Sequence, residues 1–307
     1  INRIPRARQR SGNANQINKR GINLTTKNFT TKTIEIVDSN NVLHRFKNVP
    51  PKISYLLGTN SDAKTVKGVK YGFMTGIQYL APSDVSGIVN LCPKASEGCR
   101  IACLFTAGRA ETMPDSIQPA RINRTIWFVR HKPQYWQRLV KEIKSLEIKA
   151  KNKNLIPVIR LNGTSDILWE RMKIKGTEFD GLTIFEAFPH IQFYDYSKYE
   201  YSERENIPSN YHLTYSYSEN TTQEILSDNL TNGRNVAIVF NVCKFDNKKQ
   251  CYQKCNCELP ESWNGYQVIS GDDSDVRFLD PQGVIVGLKA KGKARFDQSG
   301  FVVKVGA

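Results

Sequence analysis

The chain has 307 residues, a formal net charge of +15, 39% hydrophobic and 24% charged residues. This length and balance fit one large domain or two smaller ones and exclude global disorder. No run approaches the ~18 apolar residues of a membrane-spanning helix, and the basic N-terminus lacks the apolar core of a secretory signal, so the sequence reads as that of a cytoplasmic protein without membrane contact.

Residues 1–20 contain Arg3, Arg6, Arg8, Arg10, Lys19 and Arg20 and no acid. Residues 1–30 therefore read as a flexible basic arm able to lie along nucleic-acid phosphates. Residues 31–307 read as a single α/β domain. Thr33–Val37 and Val42–Phe46 alternate around a polar turn and predict a small β-hairpin. A Gly-rich stretch then leads into a first cysteine loop at 92–103. Apolar residues at helical spacing predict helices over Ile117–Arg130 and Pro133–Lys151. Leu155–Leu161 reads as a strand, and Ile167–Lys175 as a helix after it. Short strands are expected at Leu182–Phe185, Ile191–Tyr194 and Tyr211–Tyr217, and a helix at Thr221–Leu230. Asn235–Val242 is a strongly apolar strand running into a second cysteine loop at 243–257. Tyr266–Ser270, Val276–Leu279 and Val284–Lys289 close the pattern. Strands alternating with helices predict parallel pairing and a partial or full (β/α) barrel.

The seven cysteines form two groups, Cys92, Cys99 and Cys103, then Cys243, Cys251, Cys255 and Cys257. Their odd number and a reducing compartment argue against a disulfide framework. Clustered thiolates suit a soft metal ion or cluster. Three of them leave one coordination position open, as a catalytic centre needs; four can close a structural zinc or auxiliary cluster. Cys255 and Cys257 are one residue apart, which strains their joint ligation of one ion.

Ligands of parallel α/β folds bind at the carboxyl ends of the strands. The polar residues expected there are Asn162, Asp166, Glu186, Asp195, Ser216, Ser218, Asp272 and Asp275. Each is also a residue type favoured at caps and turns for local reasons. Arg160 and Arg277 fall inside β-type runs, where a charge must pair or hold an anionic group. Tyr194, Tyr196, Tyr215 and Tyr217 either stack on a base or pack as ordinary strand aromatics. No P-loop and no zinc-protease pattern is present.

The run Cys92-Pro93-Lys94-Ala95-Ser96-Glu97-Gly98-Cys99-Arg100-Ile101-Ala102-Cys103 resembles a phage-encoded family named after gene product eighty-eight. Arg160–Ile167, Phe193–Lys198, Leu213–Ser218 and Asp272–Gly292 fit the same family. The cysteine loop is also similar to that of phage radical-SAM-like iron–sulfur proteins. That second likeness implies a [4Fe–4S] cluster on Cys92, Cys99 and Cys103, with S-adenosylmethionine on its open iron. It implies an α/β barrel, and the phage resemblance implies the cytoplasm of a bacterial host. Zinc or a second cluster would then occupy 243–257. The spacing departs from the radical-SAM pattern, with six and three residues between successive cysteines where that pattern has three and two. The alternative is a metal-stabilised nucleic-acid-binding phage protein without catalysis, with both groups structural.

Overall fold

The computed structural model describes residues 33–37, 43–47, 53–59, 63–103, 114–242, 245–246, 251–252 and 258–305. The basic arm and Cys243, Cys255 and Cys257 lie outside them, and Cys251 is described only as backbone of a two-residue strand. The expected hairpin is present as β1 (Thr33–Val37) and β2 (Leu43–Lys47), antiparallel with Thr33 opposite Lys47.

The body of the protein is one ten-stranded sheet. Its first half runs in chain order through β3 (Leu57–Gly58), β4 (Phe73–Gln78), β5 (Ile156–Arg160), β6 (Gln192–Ser197), β7 (Tyr211–Ser216) and β8 (Val236–Asn241). Beyond β8 lie β13 (Ile285–Lys289), β12 (Tyr266–Ser270) and β11 (Ser262–Trp263). From β4 to β12 every neighbouring pair is parallel. The two outermost pairs, β3 with β4 and β11 with β12, are antiparallel. Two very short strands, β9 (Phe245–Asp246) and β10 (Cys251–Tyr252), pair separately.

Parallel pairing requires both sheet faces to be covered, which is why these strands read as apolar runs. The long helix α4 (Lys132–Lys151) covers one face beside β4 and β5, and α3 (Pro114–Arg130) packs against α4, following α1 (Ala63–Val69) and the short α2 (Glu97–Ile101). Trp136, Leu139, Ile143 and Leu146 of α4 share a core with Ile159 and Phe193. A second core joins Leu226 and Leu230 to Val236, Ile238 and Phe240. Among the described residues no helix is long and apolar enough to cross a membrane.

The sheet does not close into a barrel. Each end carries a two-residue antiparallel strand, so neither end offers the parallel edge that closure needs. The sheet is also forked at β8. Tyr215 and Ser216 pair only with Val236 and Ala237. Further along the same edge, Val239–Asn241 pair instead with β14 (Val302–Lys304).

Three expected elements differ. Ile167–Lys175 forms a single tight turn at Trp169–Arg171 and no helix. Asn162 Oδ1 accepts from Ser165 Oγ, the Ile167 amide and the Trp169 indole at 2.8–3.0 Å, which folds that segment back on itself. Leu182–Phe185 is not a strand: Thr183 caps a short helix, α5 (Ile184–Ala187), through a capping box with Glu186. Val276–Leu279 is likewise a turn, over Arg277–Leu279.

Candidate thiol site at the carboxyl end of the sheet

Strand β4 is the first of the parallel series, and the chain leaving it crosses the carboxyl end of the sheet as the cysteine loop. The loop is tied to the segment that follows β5. The Asp166 amide donates to Leu91 O at 2.8 Å, Thr164 Oγ1 donates to Leu80 O at 2.5 Å, and the Cys92 thiol reaches Thr164 O at 3.7 Å. It is tied to the segment after β7 through Glu219. That carboxylate accepts from the Gly98 amide and from Ser96 Oγ, both at 2.7 Å. Ser96 also caps α2, accepting from the Cys99 amide at 3.2 Å.

Gly98 is where the helix docks. A Cβ there would lie 2.0 Å from Ser299 Oγ, 2.7 Å from Phe301 Cβ and 2.9 Å from Glu219 Oε1. Gly98→Ala should therefore push α2 off the segment before β14. Overpacking of this kind costs about 1–3 kcal/mol. The expected readout is a lower melting temperature with faster labelling of Cys99 by a thiol reagent.

The thiols share one electrostatic neighbourhood. Burial pushes the Cys92 thiol far above the ordinary cysteine range, and Cys103, Asp166 and Cys99 add to the shift while the Ser83 backbone opposes it. Cys99 is also raised by burial, with Lys198 pulling the other way. Asp166 is raised by burial too, against the Lys198 amide, which donates to its Oδ2 at 2.8 Å. The Lys198 ammonium donates to Ser216 O, Ser216 Oγ and Tyr217 O at 3.0–3.2 Å and sits 5.0 Å from the Phe301 ring. Lys198 was not among the residues expected at the site. Its role depends on the strand that follows it in the sheet, which spacing does not reveal.

Among the described residues no three His, Cys, Asp or Glu side chains are gathered closely enough to hold a metal ion. Cys92, Cys99 and Cys103, expected as cluster ligands, lie in one loop and act on one another electrostatically. Burial disfavours the thiolate at Cys92 and at Cys99.

The other expected site residues divide. Ser216 lies in this neighbourhood through Lys198. Ser218 serves a turn, its amide donating to Thr221 Oγ1 at 2.9 Å. Glu186 caps α5 and pairs with Lys173 at 3.1 Å on the surface; no strand precedes it, so it marks no strand end. Asp272 accepts from the Lys289 amide and the Lys291 ammonium. The tyrosines pack: Tyr194 lies edge-on to Phe278 and Tyr217 to Trp263.

Asn162, Asp195 and Asp275 belong to a buried polar chain through the sheet. Asp195 Oδ1 accepts from the Asn162 amide at 2.8 Å and its Oδ2 from the Tyr211 hydroxyl at 2.9 Å. Arg160 Nε lies 3.9 Å from Asp195, and its Nη1 lies 3.1 Å from Asp275 Oδ2. Burial pushes the Asp195 carboxyl up to about 7, despite Arg160, Asn162 and Tyr211. The unfolded carboxyl titrates near ~4, so the folded state binds the extra proton between those values. The stability Asp195 contributes is thus complete below about pH 4 and lost as pH rises to about 7. Asp195→Asn should flatten this dependence. Denaturation midpoints of both proteins measured from pH 4 to 8 check it, and parallel curves would refute it.

No curated protein and no solved structure matches the chain. One family model does, that of gene product 88, over residues 55–305. The match takes in the cysteine loop, the whole ten-stranded sheet and the buried polar chain, and on it the chain belongs to the phage gene product 88 family.

Proposed function

We propose that the chain is an iron–sulfur enzyme of the radical-SAM-like type, with its cluster carried by Cys92, Cys99 and Cys103. The observation that carries this reading is the placement of three soft donors at the carboxyl end of a parallel sheet, where such folds do their chemistry. The donor set fits in kind. Beside the thiols, Asp166 Oδ1 is buried with no hydrogen-bond partner. The spacing does not yet fit, so loading has to draw the loop inward and release the thiol protons. When bound, the cluster would supply the electron that cleaves the sulfonium of S-adenosylmethionine. The chain's own part is to hold the loop through Glu219 and Thr164, and to set a positive Lys198 beside thiolates that burial alone disfavours.

Anaerobic purification followed by iron, acid-labile sulfide and zinc analysis tests this. Iron and sulfide in equal amounts, lost in Cys92→Ala and in Cys99→Ala, are expected. Zinc without iron would overturn the reading in favour of a structural metal. Zinc that survives both substitutions would belong to the 243–257 loop.

A further inference from the structure

One face of the central strands is polar where a core would be apolar. By the alternation of strand residues it presents Arg160 from β5, Tyr194 and Tyr196 from β6, and His212 and Thr214 from β7. Tyr194 stands opposite His212, and Tyr196 opposite Thr214. The segment between Asp272 and Pro281 lies over this face. Its Phe278 packs on Phe73 and Tyr194, and its Arg277 is fully buried and depresses the His212 pKa in addition to burial. Both ends of the segment are anchored, at Asp272 by Lys289 and Lys291 and at Pro281 O by Asn235 Nδ2, 2.8 Å away.

The groups on this face and in the segment over it are poorly matched. Arg160 Nε, Arg277 Nε and Nη1, His212 Nε2 and Thr214 Oγ1 are buried and make no hydrogen bond, although Asp280 lies 3.1 Å from Arg277 Nη1. Native proteins rarely leave such groups idle together. The contact Arg160 does make is also loose. A single nitrogen faces Asp275 at 3.1 and 3.3 Å, and the Tyr194 hydroxyl reaches the same carboxylate at 3.4 Å. A buried pair elsewhere in this protein shows what a structural bridge looks like: Arg204 grips Glu170 with two nitrogens at 2.9 and 2.6 Å. Charge-assisted bonds are ordinarily about 2.7–2.9 Å.

We infer that this polar face is an oxyanion site for the carboxylate or phosphate of a small-molecule ligand, gripped by Arg160, and that residues 273–280 plug it with Asp275 standing in for the ligand's charge. A tethered carboxylate competes at high effective concentration, which lowers the apparent affinity of a free anion. The inference does not depend on the cysteine loop, and metal-free protein suffices to test it.

The full chain is titrated calorimetrically with inorganic phosphate and, separately, with succinate. Asp275→Asn, which keeps the shape and removes the competing charge, should bind at least one of the two about tenfold more tightly than the wild type. Adding Arg160→Gln to that variant should abolish the gain. Hydrogen exchange on the wild type needs no substitution: amides of 273–280 should exchange faster as the anion is added, because the plug leaves. Equal affinities of wild type and Asp275→Asn, or exchange at 273–280 unmoved by saturating anion, would overturn the inference. The tighter of the two anions identifies the ligand's charged group.

Discussion

Arg204→Gln is expected to lower stability by about 3–5 kcal/mol, the usual effect of removing one partner from a buried ion pair. Arg204 and Glu170 have side chains only 1% exposed, and the guanidinium also sits 5.4 Å from the Tyr211 ring. Removing the cation strands a carboxylate with no water to solvate it. In a chain of this size the melting temperature should fall by roughly 5–10 °C. Replacing both residues by methionine should recover most of the loss, because the isolated charge, more than the missing attraction, is the source of the cost. Urea denaturation of the single and double variants checks this, and equal losses in the two would refute it.

Trp169→Ala is expected to cost about 3–5 kcal/mol and to loosen the thiol site as well. Trp169 is fully buried, 5.5 Å from the Phe128 ring and 5.9 Å from that of Trp136. Its indole donates to Asn162 Oδ1 at 3.0 Å, the atom that organises the 162–167 turn. That turn carries Thr164 and Asp166, both of which hold the cysteine loop. Trp169→Phe keeps most of the packing and loses chiefly the hydrogen bond, at about 1 kcal/mol. Labelling of Cys92 by a thiol reagent should accelerate strongly in the alanine variant and little in the phenylalanine one. Similar rates in both would separate the site from this part of the core.

Most of the parallel strands were legible because burial on both faces writes them as apolar runs, as in Val236–Asn241 and Ile156–Arg160, but β4, in the Gly-rich stretch before the cysteine loop, was not. The long helices were legible from the spacing of residues such as Trp136, Leu139 and Ile143. Leu182–Phe185 misled because Leu, Thr, Ile and Phe also suit a strand. The capping pair Thr183 and Glu186 carried the opposite signal within the same few residues. Strand β14 was not foreseen, since three residues hold no period. Asp166 and Ser216 do lie at or just past the ends of their strands, β5 and β7. The strand-end rule failed for Glu186, where the strand itself was absent. Arg160 and Arg277 were legible as charges in need of partners, and the structure supplies Asp275 and Asp280. How loosely they are met depends on angles and distances that only the folded chain defines.

The fork at β8 makes the thiol site wait for the end of the domain. The cysteine helix packs at Gly98 against Ser299 and Phe301, about 200 residues later in the chain. A ribosome adds roughly 5–20 residues per second, so the loop emerges some 10–40 s before its final contact exists. Once β8 is made, its edge stays open until β14 follows about 60 residues later, and through the whole interval Cys99 lacks its packing against Phe301 and Val302. Cys99 is therefore most accessible to solvent during synthesis, before the last strand shuts the edge.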